Sequence, residues 1–293
     1  MRQLSNPRLR GLPRSGGRWW RVLAAALLLT STAAAARVAG AAPAQALGTH
    51  TLTGKGLDSC TAPSVNQMSN FWNHTPYWYW GIYIGGNQRS CSQPNLTASW
   101  ISSVTSQGWR LLPLWVGPQD PCEPGFGSYI STNTTTAYSQ GKNEAAAAYN
   151  AWTGTLGQSV DTPIDYDLEY NGATITSTCL AAIKSFISGW VFQLHIAPAQ
   201  VAGVYTSSSG GDLNAFASIA NVPDFIDGAD WNGNPSTADL AGIPSGNWVS
   251  HQRHKQYAGG HNETWNGSTI NVDSRCADAA VYAADDEFAG EGC

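Results

Sequence analysis

The sequence predicts an α/β protein, a single-domain (β/α)8 barrel of the TIM type that is somewhat irregular in its last third. Short apolar or β-branched runs alternate with helical segments, which is typical of parallel βα units. Eight such runs can be counted, and neither an internal repeat nor a flexible linker interrupts them. Setting aside an N-terminal segment of 46 residues leaves about 247 residues, a length typical of such a barrel.

The predicted strands are short, and most are bounded by glycine, proline or polar residues. They are residues 56–58, 79–84, 109–116, 163–169, 201–206, 225–231, a polar stretch ending at 257, and 270–273. Helices are predicted from about residues 64, 96, 142, 178 and 214. The helix expected between the sixth and seventh strands is poorly marked by residues 238–243, so irregularity is expected there.

The N-terminal segment has the layout of a secretory signal peptide, because six arginines and no acid precede an apolar run at residues 22–29. Small residues at Ala44 and Ala46 predict cleavage after Ala46, with Ala39 and Ala42 as alternatives. We therefore expect a signal peptide at 1–46 and a barrel at 47–293. The apolar run is shorter than the roughly 20 residues that span a bilayer, and no later stretch is expected to do so. The prediction is a secreted protein without stable membrane insertion, with association with the cell wall as an alternative to free secretion.

Composition narrows the possible partners. All six cysteines follow residue 46, and an even count behind a signal peptide indicates disulfides, although six cysteines allow 15 connectivities. Their spacing fits no zinc site, and neither a metal nor a cofactor is expected.

Charged residues make up 12% of the chain and the formal charge is −5, which argues against nucleic acid as a partner. The 13 Trp and 11 Tyr suit sugar stacking, with core packing as the alternative reading.

Acidic residues fall at the predicted ends of four strands. They are Asp58, Glu169, Asp230 and Asp273. Active sites of TIM-type barrels lie at the carboxyl ends of the strands, so these side chains are expected to meet at one mouth.

The fourth strand carries the densest acidic pattern. Side chains alternate along a strand, so Asp165, Asp167 and Glu169 are expected on one face, with neighbouring β-carbons about 6.5–7 Å apart. Burying three like charges raises the pKa of at least one carboxyl, which provides a proton donor at neutral pH. The alternatives are a solvated edge strand or a calcium site.

Six segments in order resemble an actinobacterial glycoside-hydrolase-like domain, a group similar to the family 25 lysozymes. They are GLDSCTAPS at 56–64, WGIYIGG at 80–86, DLE at 167–169, GVYTS at 203–207, QY at 256–257 and VD at 272–273. The resemblance implies a (β/α)8 barrel with an acidic pocket, with Glu169 as general acid, Asp167 beside it, and Asp58 and Asp273 lining the pocket. Asp165 departs from the pattern, since the group usually has an aromatic residue there.

The barrel order suggests which cysteines and aromatic residues surround the mouth. Cys60 and Cys91 follow neighbouring strands, as do Cys122 and Cys179, and a Cys276–Cys293 bridge would tie down the tail.

Five aromatic residues end or flank strands near the mouth and are candidates to stack on sugars, with packing as the alternative: Tyr83, Trp115, Tyr205, Trp231 and Tyr257. Asp230 and Asp165 are further candidate binding residues.

The leading hypothesis is a secreted, monomeric glycoside hydrolase that acts on peptidoglycan or another polysaccharide. A substrate-assisted route is favoured, in which an N-acetyl group of the sugar attacks while Glu169 protonates the leaving oxygen and Asp167 stabilises the cation. The alternatives are a non-catalytic wall- or sugar-binding barrel that retains the acidic pocket, and a calcium-stabilised structural domain.

Overall fold

A computed structural model of the protein describes residues 47–196, 198–208, 212–288 and 293. The predicted signal peptide, residues 1–46, lies outside the described residues. The strands are β1 (Gly48–Asp58), β2 (Tyr79–Gly85), β3 (Arg110–Trp115), β4 (Pro163–Asp167), β5 (Val201–Ser207), β6 (Phe225–Ala229), β7 (Arg253–Trp265), β8 (Ser268–Ala283) and β9 (Glu287–Phe288). The helices are α1 (Val65–His74), α2 (Ala98–Gln107), α3 (Thr134–Asn150), α4 (Ser177–Ile196) and α5 (Asp212–Ala215).

The helices begin where the sequence provides capping groups. Ser64 and Gln67 form a reciprocal capping box at the start of α1, and the side chains of Thr97 and Asn133 cap α2 and α3. The predicted alanine-rich helix starts earlier than expected, and a π-helical turn, Ala151–Thr155, extends it. Gly157 follows with φ of 64°, the left-handed conformation predicted for it.

The eight main strands close into a barrel, which confirms the predicted fold class. Strands β1 to β7 pair in parallel with their neighbours in chain order. Strand β8 closes the ring by pairing antiparallel with both β7 and β1. The parallel strands therefore place their carboxyl ends at one mouth of a single domain, as the alternation of strands and helices predicts.

The last third departs from a regular (β/α)8 pattern. Residues 230–252, all of them described, contain turns but no helix. Strands β7 and β8 form a hairpin whose turn, Asn266-Gly267, has positive φ at both residues, as a tight two-residue turn requires. The first and eighth strands are much longer than predicted, because residues 48–55 of β1 pair with the end of β8. Strand β9 adds to the outer part of β1 at Leu52 and Thr53.

Helices α3 and α4 pack unusually closely. A β-carbon at Gly141 would overlap the carbonyl of Phe186, and one at Gly189 would overlap that of Tyr138. Among the described residues, α4 alone is long and apolar enough to cross a membrane, which corrects the expectation that no later stretch would be. Its apolar residues are core residues, since Ile183, Phe186 and Trp190 are fully buried.

Three disulfides brace the barrel, and their pairing is the one the barrel order suggests. Cys60–Cys91 joins the loops after β1 and β2, and Cys122–Cys179 joins the loop after β3 to the start of α4. Cys276–Cys293 ties the C-terminal residue to β8.

Candidate active site

The mouth of the barrel contains a cavity of about 620 Å³ that is open to solvent. Five of the predicted catalytic and binding residues line it, four from β1, β2, β4 and β8 and one, Glu169, two residues beyond the end of β4: Asp58, Tyr83, Asp167, Glu169 and Asp273. Asp58 and Asp167 are the last residues of β1 and β4. Asp273 lies in the middle of β8 rather than at its end as expected, because β8 enters the barrel from the mouth and continues downward.

Asp167 and Glu169 are held by a glutamine that sequence reasoning missed. The Gln119 side chain donates from Nε2 to the Asp167 carbonyl at 2.9 Å, and its Oε1 accepts from the Glu169 backbone N–H at 2.7 Å. Gln119 is fully buried, so its side-chain amide holds the backbone of Asp167 and Glu169 in place. Tyr166, which lies between Asp165 and Asp167 in the sequence, packs on the opposite face against Phe186 of α4, as the predicted alternation requires.

Both carboxyls hold protons more tightly than usual. Burial, followed by the charges of Glu169, Asp165 and Asp58, raises the pKa of Asp167 well above its usual range. Burial and then the charge of Asp58 raise the pKa of Glu169. Asp167 Oδ1 is buried without a hydrogen-bond partner among the described residues, whereas Glu169 is partly exposed to the cavity. Such a pair can provide a proton donor and a carboxylate at one site.

Asp58 and Asp273 lie opposite each other in the β1–β8 ladder, across the barrel from β4. Arg275, also buried, donates from Nη1 to Asp58 Oδ2 at 2.8 Å. Gln256 Nε2 lies 3.3 Å from Asp58 Oδ2 and 3.4 Å from Asp273 Oδ2. Neither Gln256 nor Arg275 was predicted as a site residue, although Gln256 belongs to one of the segments that carry the family resemblance.

Asp165 lies deeper in the barrel and does not line the cavity. It is fully buried, and both of its carboxylate oxygens lack a hydrogen-bond partner among the described residues. Burial raises the pKa of Asp165 to about 8, and the nearby charge of Arg275 acts in the opposite direction. Gly203 makes room for this carboxyl, since a β-carbon there would lie 2.8 Å from Asp165 Oδ1. Arg275 also contacts a second deep acid, Asp227.

The predicted aromatic residues divide between the cavity and the rest of the barrel. The Tyr83 hydroxyl lines the cavity and lies 3.4 Å from Asp58 Oδ1. Trp115 faces the helical layer, where its indole N–H donates to Glu144 at 2.6 Å. The half-buried Tyr257 lies away from the cavity lining and its hydroxyl pairs with that of Ser274.

Tyr205 and Trp231 are outside the cavity lining, and both contact Gln256, which lies beside the cavity-lining acids Asp58 and Asp273. The Tyr205 hydroxyl and the Trp231 indole N–H both donate to Gln256 Oε1, at 3.0 and 2.8 Å. Trp231 is 67% exposed, and its ring stands over Gly259, next to the cavity-lining Gly260.

Asp230 is also outside the cavity lining. It follows β6, as predicted, but its carboxylate pairs with the buried Lys255 ammonium at 3.2 Å. Among the described residues, one group lies close enough to share a metal ion: Asp120, Cys122 and Cys179. Its two sulfurs are joined in a disulfide and are therefore not available as thiolate ligands.

The sequence of the chain matches a known family. The family model for the Rv2525c-like, glycoside hydrolase-like domain matches residues 70–277. The chain belongs to this family. The family assignment confirms the resemblance that the ordered motifs indicate. Among curated proteins, no sequence is significantly similar to the chain.

Several solved structures are similar to this Rv2525c-like chain at low sequence identity. The Tat-secreted protein Rv2525c of Mycobacterium tuberculosis, in complex with L-tartrate, is 14% identical with a TM-score of 0.50, covering 77% of this chain and 95% of that chain. A family 25 glycosyl hydrolase from Bacillus anthracis is 11% identical with a TM-score of 0.45, covering 76% and 88%. The bacterial lysozyme from Streptomyces coelicolor is 14% identical with a TM-score of 0.47, covering 77% and 92%.

Proposed function

We propose that this Rv2525c-like protein hydrolyses glycosidic bonds in a cell-wall or other polysaccharide, with Glu169 as the proton donor and Asp167 as its partner. The observation that supports this most directly is that both carboxyls line one open cavity while Gln119 holds the backbone of each. Glu169 is the more exposed of the two, so it can reach the oxygen of a bound glycosidic bond. A single chain encloses the cavity, so the proposal needs no second subunit.

A substrate-assisted route suits a cavity in which Glu169 holds a proton and a second carboxyl, Asp167, lies beside it. Glu169 gives its proton to the glycosidic oxygen, and the bond from that oxygen to the anomeric carbon breaks. The carbonyl oxygen of an N-acetyl group on the sugar bonds to the same carbon, and Asp167 stabilises the positive charge on the resulting ring. One water molecule then opens that ring and returns a proton to Glu169, so the net reaction consumes one water.

We infer that the protein acts outside the cytoplasm. Three disulfides support this location, because disulfides persist in oxidising compartments. The arginine-rich and apolar start of the chain has the layout of a signal peptide. Rv2525c, which shares the fold, is described as Tat-secreted. Peptidoglycan and other wall polysaccharides are accessible there and are the proposed partners.

Activity on defined polymers tests the proposal. Purified protein is incubated with peptidoglycan, chitin-type polymers, arabinan and galactan, and new reducing ends are measured. We expect release from at least one polymer, and a loss of at least 100-fold in Glu169→Gln, since general acid catalysis contributes about 10²–10⁴-fold. Glu144→Gln is the matched control, because Glu144 also has a pKa raised by burial but faces Trp115 outside the cavity.

The same experiment separates hydrolysis from recognition. Polymer that binds wild type and Glu169→Gln equally, with no product from either, would instead support the non-catalytic binding barrel. Equal activity of wild type and Glu169→Gln would remove Glu169 from its proposed role.

A further inference from the structure

The cavity wall opposite Asp167 and Glu169 contains a second pair of acids. We propose that Asp58 and Asp273 share one proton, and that Asp273 presents it to the cavity as a hydrogen-bond donor to an oxygen of the bound sugar. The inference deepens the proposed function and rests on it in taking this cavity as the sugar site. It gives the site a polar contact that the Asp-x-Glu motif does not provide.

The placement of the two carboxyls supports a shared proton. Asp58 and Asp273 are direct partners in the antiparallel β1–β8 ladder, so their side chains stand side by side on one face. One donor, Gln256 Nε2, lies within 3.4 Å of an Oδ2 oxygen of each. The shared donor brings the two Oδ2 atoms within reach of one amide group. Two carboxylates at such a distance repel, and a proton between them converts repulsion into a hydrogen bond.

The orientation of the Gln256 amide follows from its other contacts. Its Oε1 atom accepts from both the Tyr205 hydroxyl and the Trp231 indole N–H. An indole N–H can only donate, so the amide oxygen must face Trp231 and the amide nitrogen must face the acids. Gln256 is therefore a positioning residue that holds the acid pair in register.

The charged neighbours decide which member of the pair carries the proton. Asp58 has a cationic partner, the buried Arg275 guanidinium at 2.8 Å. Asp273 has no cationic partner among the described residues, and it is the more exposed of the two. The groups that face Asp273 are Asp58, Glu169 and the neutral Gln256 amide. Burial raises the pKa of Asp273 most. The charge of Asp58, a hydrogen bond with Asp58 and the charge of Glu169 raise it further, to about 8.

A direct titration tests the proton assignment without any substrate. Aspartate carboxyl carbons are labelled with carbon-13, and their NMR shifts are followed from pH 4 to pH 10. We expect a resonance that titrates near pH 8 in the wild type and in Asp278→Asn, and that is missing in Asp273→Asn. Asp278 is the matched control because it lies on the same strand, outside the cavity lining.

A second variant, Asp165→Asn, deals with an overlapping aspartate resonance and with an Asp273→Asn protein that does not fold. Asp165 is expected to titrate in the same range, so the Asp165→Asn background removes that overlap, and the resonance near pH 8 that a further Asp273→Asn substitution removes is assigned to Asp273. An Asp273 resonance that titrates near pH 4, the ordinary aspartate range, in either background would overturn the assignment.

Sugar binding tests the donor role. The N-acetylglucosamine tetramer is titrated into Glu169→Gln protein at pH 6 and pH 9. We expect affinity to fall about tenfold or more at pH 9, because deprotonated Asp273 no longer donates and repels the sugar oxygen. Asp273→Asn keeps an N–H donor, so its affinity should change less than threefold. An equal loss at pH 9 in both proteins would refute the donor role. Because the carboxyl titration needs no turnover, an inactive protein would refute the hydrolase proposal while leaving the proton assignment testable.

Discussion

Replacing Asp165 with asparagine tests whether the barrel interior holds a neutral carboxylic acid. Asp165 is fully buried and neither oxygen has a hydrogen-bond partner among the described residues. Asparagine has nearly the same shape but does not ionise. The substitution therefore removes the titration of this group with little change in packing.

The magnitude follows from the pKa of Asp165, which burial raises to about 8 in the folded protein. An unfolded aspartate has a pKa of about 3.9. Between these values the folded state keeps a proton that the unfolded state has lost, so the free energy of unfolding falls as the pH rises. One group contributes roughly 1.4 kcal/mol per pH unit. Wild type should therefore lose about 2–3 kcal/mol relative to Asp165→Asn between pH 5 and pH 7.

Urea unfolding at pH 5, 6 and 7 measures this difference. The wild type and Asp165→Asn curves of unfolding free energy against pH should diverge steadily, with the variant favoured at higher pH. Asp161→Asn serves as a control, because Asp161 is exposed and its left-handed backbone suits asparagine. Parallel curves for wild type and Asp165→Asn would show that Asp165 is ionised in the folded protein, and would refute the reasoning.

Two further predictions concern packing and covalent bracing. Gly141→Ala should lower the free energy of unfolding by about 1–3 kcal/mol, because the added carbon meets the Phe186 carbonyl between α3 and α4. At Gly154 an added carbon would meet no other described segment within 4 Å, so Gly154→Ala should not destabilise the protein through packing. Equal effects of the two substitutions in chemical denaturation would contradict the packing argument. Replacing Cys122 and Cys179 together with alanine should cost about 4 kcal/mol, since the bridge closes a loop with a sequence separation of 57. A loss below about 1 kcal/mol in urea would contradict that expectation.

The acidic strand β4 shows what the local sequence pattern can predict about the site. Alternation predicted that Asp165 and Asp167 share a face, and the structure has both buried inside the barrel while Tyr166 packs against α4. The period of a strand is a property of the backbone, so it can be read without knowing the neighbours. The same pattern could not tell that Asp165 lies below the cavity, because depth depends on the strands on either side.

Strand direction was the main feature that local pattern did not reveal. Asp273 was expected at the end of a parallel strand, and it lies in the middle of a long antiparallel one. An apolar run looks the same in either direction, and the tight Asn266-Gly267 turn decides that β8 runs back beside β7. Asp273 therefore lies at the mouth as expected, but within an antiparallel strand.

The sequence by itself determined the class of fold, the order of the strands, the cysteine pairs once that order was assumed, and the acidic residues worth testing. These follow from periodicity, composition and short motifs, which are local properties. Only the tertiary structure decided that Gln119 and Gln256 hold the acids. Gln119 acts over a separation of 48 residues and Gln256 over 198. A glutamine carries no charge or motif that marks its partner, so its role arises only when distant segments are folded into contact.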